Sequence, residues 1–240
     1  MSGMTHQGMV RINNEDSIST LNDIGVAILA DGMGGHQAGE VASSMAVEMV
    51  QQYFSEIRGN PSAEFNGENM LESIVLANTA VFELSQERPE CAGMGTTIVV
   101  CSFIDGKIFT GHVGDSRLYR LRENSLEQIT QDHSVVQELV SRGFMSQEEA
   151  NNSMNKNLVT RALGIDAAVE PDLNEHEYRN GDVYLLCSDG LSDVVPDVDI
   201  EGSMIENQRN IDMATKSLVD LANSAGGPDN ISVILVSASD

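Results

Sequence analysis

The stretch "TTIVVCSFIDGKIFTGHV" (Thr96–Val113) places two apolar, β-branched runs on either side of an Asp-Gly pair. Both central residues of a two-residue hairpin turn need positive φ, and Asp-Gly supplies them, so the two runs read as a β-hairpin. Hairpin strands are antiparallel, which excludes a doubly wound parallel sheet. Similar runs recur outward in both directions: "IGVAILA" (24–30), "RLYRL" (117–121), "DVYLLCS" (182–188) and "ISVILV" (231–236). "YRNGDVY" (178–184) carries a similar Asn-Gly turn.

Helical spacing occupies the gaps. Ala42, Met45, Ala46, Met49, Val50, Tyr53, Phe54 and Ile57 build one apolar face. Leu71, Ile74, Val75, Asn78 and Phe82 repeat it less strictly, and Ile211, Ala214, Leu218, Leu221 and Ala222 form a third stripe. Paired helices over antiparallel strands predict a layered α+β domain. Between 132 and 164 the strands stop. "SVVQELVSRG" (134–143) predicts a short helix ended by Gly143, and "SQEE" (146–149) fits a capping box. No repeat or linker divides the chain, so residues 1–240 are expected to form a single domain.

The 240 residues suffice for one large core, and an apolar content of 41% excludes wholesale disorder. Acids outnumber bases 37 to 13, a formal charge of −24. Such a surface repels nucleic acid and anionic membranes, so neither is an expected partner. Most of these acids serve solubility, but hard divalent cations also need oxygen ligands. Cys91, Cys101 and Cys187 are widely spaced, as in a reduced compartment with buried thiols. The N-terminus shows no signal-peptide pattern, and no apolar run reaches the roughly 18 residues of a membrane span. A cytoplasmic location is expected.

The ends of the apolar runs carry acids. "VAILAD" finishes at Asp31, "YLLCSD" at Asp189, and Asp229 stands immediately before "ISVILV". In an antiparallel sheet the end of one strand and the start of its neighbour share a rim, so these carboxyls converge. "GHVGD" adds Asp115, and "NNED" adds Asp16. A single acid beside glycine is usually a turn residue. A dry cluster is costly unless a cation occupies it, and two Mg²⁺ or Mn²⁺ ions fit. The glycines after Asp31 let a backbone carbonyl, most simply that of Gly32, approach an ion.

Taken in order, "VRINNED" (10–16), "ADGMGG" (30–35), "GMGTT" (93–97), "HVGDSR" (112–117), "QDHS" (131–134), "CSDGL" (187–191) and "GGPDNIS" (226–232) resemble the metal-dependent protein phosphatases of the 2C type (PP2C), especially small bacterial members. The resemblance spans essentially the whole chain. It implies a β-sandwich flanked by helix pairs, and hydrolysis of phosphoserine and phosphothreonine by a water bridging two metals. It implies further that Asp31 bridges both ions, that Gly32 lends its carbonyl to one, and that Asp189 and Asp229 hold the other. Asp16 would act through metal-bound water, and Asp115 with Asp189 would take a third ion. Arg11 matches the phosphate-holding arginine.

The general acid is where this sequence departs from the pattern. Animal members carry a histidine two residues after the bridging aspartate, where this chain has Met33. His36 is the candidate in its place, or else hydrogen-bonds within its loop. His133 is a second candidate or a helix-entry contact, and His112 is expected to stand behind the metal acids. A metal-bound water is the remaining donor. Residues 143–163 occupy the family's flap position. The implied partners are phosphorylated proteins and a cognate kinase, with a monomeric enzyme. The alternatives are a phosphomonoesterase of small metabolites and a catalytically silent module that binds phosphoproteins.

Overall fold

A computed structural model describes residues 1–34, 38–59, 66–151, 153, 155, 158–208 and 210–238. The strands are β1 (Ser2–His6), β2 (Asp16–Leu21), β3 (Val26–Met33), β4 (Gly95–Thr96), β5 (Ile98–Ile104), β6 (Lys107–Val113), β7 (Arg117–Arg122), β8 (Ser125–Gln128), β9 (Asp172–Glu177), β10 (Val183–Cys187) and β11 (Ile231–Ser237). The helices are α1 (Ala38–Gly59), α2 (Gly67–Glu87), α3 (Val135–Ser141), α4 (Gln147–Asn151), α5 (Asp189–Ser192), α6 (Asp197–Glu206) and α7 (Ile211–Ser224).

The strands form two sheets, one ordered β1-β11-β10-β7-β8 and the other β2-β3-β5-β6-β9, with β4 paired to β3. Every strand pairing among the described residues is antiparallel. β5 and β6 make the predicted hairpin, with Asp105 at φ 49° and Gly106 at φ 79° in its turn. The Asn180-Gly181 turn forms too, Gly181 at φ 93°, but it makes no hairpin: β9 pairs with β6 while β10 pairs with β7 and β11. It carries the chain from one sheet to the other.

Alternation along each central strand explains why these runs are apolar throughout. Val26, Ile28 and Ala30 of β3 pack against α1 and α2, whereas Ala27 and Leu29 face the opposite sheet. In β10, Val183, Leu185 and Cys187 meet α6 and α7, while Tyr184 and Leu186 point between the sheets. A strand covered on both faces has no polar face to show. The layers are therefore helix, sheet, sheet, helix.

The α1 stripe matches its reading: Ala42, Ala46, Val50 and Phe54 are fully buried. On α2 the buried face is rotated from the expected one. Leu71 and Val75 are 40% and 39% exposed, while Ile74 and Asn78 are buried as read and are joined by Met70, Ala77 and Val81. The small Ala77 and polar Ser73 on that face disguise it. Asn78 is buried because its amide holds the Gly164 N–H and the Asp166 carbonyl. All three cysteines are free and buried.

Candidate active site

Register alone brings the first two acids together. Asp16 opens β2 directly opposite Asp31 near the end of β3. The Asp31 backbone is held on both sides: its N–H donates to Thr97 Oγ1 at 3.0 Å, and its carbonyl accepts from Thr97 N at 2.9 Å and Thr96 Oγ1 at 2.9 Å. Gly32 follows where no side chain fits, since a Cβ there would lie 2.1 Å from the Gly39 carbonyl oxygen and 2.5 Å from that of Glu15. The first turn of α1 is thereby seated against the loop that follows Asp31.

The other sheet delivers Asp189 and Asp229. β10 ends as β11 begins, and Ser188 Oγ reaches across the sandwich to donate to Asp16 Oδ2 at 2.9 Å. Asp189 is the first residue of α5. The next residue, Gly190, lets that helix touch the turn before β11: a Cβ would sit 1.9 Å from the Asn230 carbonyl oxygen. Asn230 is a buried hub, accepting from Glu15 N and donating to the carbonyls of Gln7 and Asn13. It ties the N-terminal segment to the Asp229 turn. Arg11 on that segment forms an ion pair with Asp229 at 2.6 Å, with side chains 53% and 33% exposed.

Asp115 follows β6 and is buried. A cavity of about 560 Å³ has Asp115 and Asp189 in its wall, together with Asp193 and Asp132. Its remaining lining comes from Arg117 of β7, the segment from Gln128 to Ser134, α3 and α4, and the run from Ser192 to Asp197. Asp132 is gripped by Arg117 through Nε and Nη2, at 2.7 to 3.1 Å.

The carboxyls press on one another. Burial, followed by its proximity to Asp16, Asp189, Asp115 and Asp229, raises the Asp31 pKa well above the usual carboxylate range. Burial and then Asp115, Asp193, Asp229 and Asp16 do the same to Asp189. Asp16 is pushed up to about 6 by burial, against the hydrogen bonds it accepts, and Asp115 to about 6 by burial, Asp132 and Asp193. Asp16 Oδ1 is buried and receives no hydrogen bond. The Asp16 and Asp31 carboxyls interact directly, and two carboxylates share such an approach only with a proton or a cation between them.

Asp16, Asp31, Asp115, Asp189 and Asp229 thus meet at one rim, with Gly32 beside Asp31 and Arg11 on Asp229. His36 lies outside the described residues. His133 is buried, its Nδ1 accepting from Gly114 N at 3.1 Å, and burial, His112 and Arg161 push it down to about 4. His112 is buried behind it, the two rings stacked with centroids 4.6 Å apart. Sequence reasoning assigned nothing to Asn230, Ser188, Thr97 or Asp193. Asn230 and Ser188 stand beside Asp229 and Asp189, and Asp193 lies one helical turn beyond Asp189, so proximity was the available signal; Thr97 closes the separate block "GMGTT", 66 residues from Asp31.

The sequence profile of protein phosphatase 2C matches residues 5–231. The chain belongs to the protein phosphatase 2C family. It is 37% identical over 235 residues to the serine/threonine phosphatase stp of Listeria welshimeri, covering 97% of this chain and 93% of that one. It is 39% identical over 236 residues to PstP of Mycobacterium tuberculosis, covering 98% of this chain but 44% of the longer relative. The crystal structure of the M. tuberculosis PstP phosphatase superposes with a TM-score of 0.91 at 36% identity, covering 100% of this chain and 98% of that one. A PstP catalytic domain in complex with two manganese ions superposes with a TM-score of 0.87 at 37% identity, covering 100% and 97%. The protein phosphatase 2C fold of this chain is thus the expected α+β sandwich with helices on both outer faces.

The residues present suit divalent metal. The donors at the rim are hard oxygens, the carboxyls raise one another's affinity for positive charge, and the bare Asp16 Oδ1 marks where a cation or its water is wanted.

Proposed function

We propose that this chain is a metal-dependent protein phosphatase that hydrolyses phosphoserine and phosphothreonine monoesters in proteins. The observation that carries the reading is the convergence of Asp16, Asp31, Asp189 and Asp229 from both sheets on one rim, with Asp16 Oδ1 unpartnered. In this assignment Asp31 would hold both core ions, the Gly32 carbonyl would serve one, and Asp189 and Asp229 would hold the other. Asp16 would act through coordinated water, and Asp115 with Asp189 would take a third ion. The ions, Mg²⁺ or Mn²⁺, supply the charge that neutralises phosphoryl oxygens and lowers the pKa of the attacking water.

The chain's own residues do the rest. Arg11 stands at the rim on Asp229, and its half-exposed guanidinium would fork onto phosphate oxygens by charge-assisted hydrogen bonds. The clamps on Asp31 and the Ser188 bond to Asp16 hold the carboxyls in place before substrate arrives, so little reorganisation is left for the reaction step. All three cysteines are buried, and burial pushes the Cys187 thiol up to about 12, so no thiolate nucleophile is offered. The proton for the leaving seryl or threonyl oxygen would come from His36 or from a coordinated water. Residues 1–240 act as one catalytic domain with residues 143–163 as its flap, of which Gln147 and Ala150 line the cavity. The enzyme works as a cytoplasmic monomer on phosphoproteins made by a cognate kinase; no helix of the described residues is long and apolar enough to cross a membrane.

The test is hydrolysis of a phosphothreonine peptide and of a small aryl phosphate across a Mn²⁺ titration. Metal-dependent turnover that favours the peptide is the expected result, with Asp31→Ala and Asp229→Ala each lowering it by about 10³-fold or more while the domain stays folded. A folded sample that leaves the peptide intact at saturating Mn²⁺ sinks the reading in favour of a phosphoprotein-binding module.

A further inference from the structure

His133 grips the residue before Asp115 from two directions. Its backbone N–H donates to the Gly114 carbonyl at 2.9 Å, and its ring Nδ1 accepts from the Gly114 N–H at 3.1 Å. Both polar groups of one peptide residue are thereby held by a single side chain and its own backbone. Gly114 needs that hold, since it sits at φ 107°, a conformation that L side chains rarely adopt, with Thr97 packed against it.

The ring is itself fixed. His112 stacks on it, and His112 Nε2 donates to the Gln131 carbonyl at 2.9 Å. On the far edge His133 Nε2 lies 3.4 Å from Asp172 Oδ2, and Arg161 Nη1 pairs with Asp172 Oδ1 at 2.9 Å. The His133 carbonyl accepts from Thr160 N at 2.8 Å, and Ser134 bridges to Val159. One histidine therefore joins the end of the 143–163 segment, through Thr160 and Arg161, to the backbone that carries Asp115.

His112, His133 and Asp172 lie close enough together to suggest a second metal site. The hydrogen bonding rules it out. Because Gly114 N–H fills the Nδ1 lone pair, the neutral ring keeps its proton on Nε2, the nitrogen that faces Asp172. The Arg161 guanidinium already supplies the positive charge beside that carboxylate.

We infer that His133 is a positioning residue that sets the Asp115 carboxyl through the Gly114 peptide, and so governs the affinity of the ion Asp115 holds. The inference rests on the proposed assignment of Asp115 as an ion ligand. The acceptor at Nδ1 is the essential atom; the Asp172 and Arg161 contacts orient the ring. Asparagine places its Oδ1 near the position of a histidine Nδ1, whereas leucine places no acceptor there.

The experiment is Mn²⁺ binding to the full chain, by calorimetry and by the electron paramagnetic resonance signal of free Mn²⁺, for wild type, His133→Leu, His133→Asn and Asp115→Asn. The wild type is expected to show a tight class of sites and one weaker site. His133→Leu should weaken that last site by about 10-fold or more and leave the tight class unmoved, as removal of an outer-shell support does. His133→Asn should restore it to within about 3-fold of wild type by returning the acceptor. A weak site unchanged in His133→Leu, or equally damaged in both variants, overturns the inference. If His133→Leu does not fold, the comparison of His133→Asn with wild type still decides, because an Asn variant that loses the site contradicts the acceptor role. Asp115→Asn separates the two claims. If the weaker site survives in that variant, the Asp115 assignment falls; if it is lost there but intact in His133→Leu, only the role of His133 falls.

Discussion

Asp16 and Asp115 hold their protons to about pH 6 because each is buried among other carboxyls. A carboxyl whose pKa is raised by folding stabilises the fold below its unfolded pKa, near 4, and loses that contribution as pH rises through the folded value. The metal-free domain should therefore be more stable at pH 5 than at pH 7.5, by on the order of 1 kcal/mol for each such group. Urea denaturation with chelator at the two pH values checks this, and Asp16→Asn should flatten the difference. A stability that rises with pH over that window contradicts the reading. Metal runs the other way. Ions compete with these protons, so apparent Mn²⁺ affinity should fall as pH drops from 7.5 to 5. Arg11 shows the same physics at the mouth of the site. Its guanidinium partners the Asp229 carboxyl, where positive charge is wanted.

At the scale of elements, the site is assembled by two close backbone approaches, α1 onto the loop after Asp31 and α5 onto the turn before β11. Gly190→Ala puts a methyl carbon 1.9 Å from the Asn230 carbonyl oxygen, so helix and turn must separate. A loss of about 3 kcal/mol is expected, together with weaker Mn²⁺ binding, because the same shift parts Asp189 from Asp229. Denaturant unfolding and calorimetry measure the two, and a variant with wild-type values for both contradicts the argument. The strands also divide by position. Every central strand longer than two residues was legible from its apolar run, whereas β1, β2, β8 and β9 were not. Those four are the edges of the two sheets. "SGMTH", "DSISTL", "SLEQ" and "DLNEHE" are polar or mixed because an edge strand faces water along one side and often one face. The turn from β7 to β8 uses Glu123 and Asn124 at positive φ with no glycine, which removed the other cue.

For the whole molecule, the layer between the sheets holds the rim in register. Ala27, Leu29, Val99, Leu118, Tyr184, Leu186 and Ile234 fill it, and each is essentially inaccessible to water. Ile234→Ala should cost about 2 to 5 kcal/mol by transfer and cavity terms. Equilibrium unfolding with and without Mn²⁺ tests how the sandwich and the site are joined. Added Mn²⁺ should recover part of the loss, since ions that bind only the folded rim stabilise it by mass action. No recovery at saturating Mn²⁺ means that the ions do not draw on the packing between the sheets. The charge of −24 belongs to this scale as well. It opposes close approach of polyanions, and the rim concentrates that charge where cations are wanted.

What the sequence by itself determined was the antiparallel class, the central strands, the helix on each side and the acids at strand ends. Those follow from local rules: period, turn chemistry, and the burial of strands covered on both faces. Only the tertiary structure decided which face α2 buries, that the Asn180-Gly181 turn changes sheets, and that Asn230, Ser188 and Thr97 hold the carboxyls in place. It also placed His133 on the Gly114 peptide. Each of these depends on groups distant in the chain meeting at hydrogen-bonding distance, and a one-dimensional pattern carries no distance.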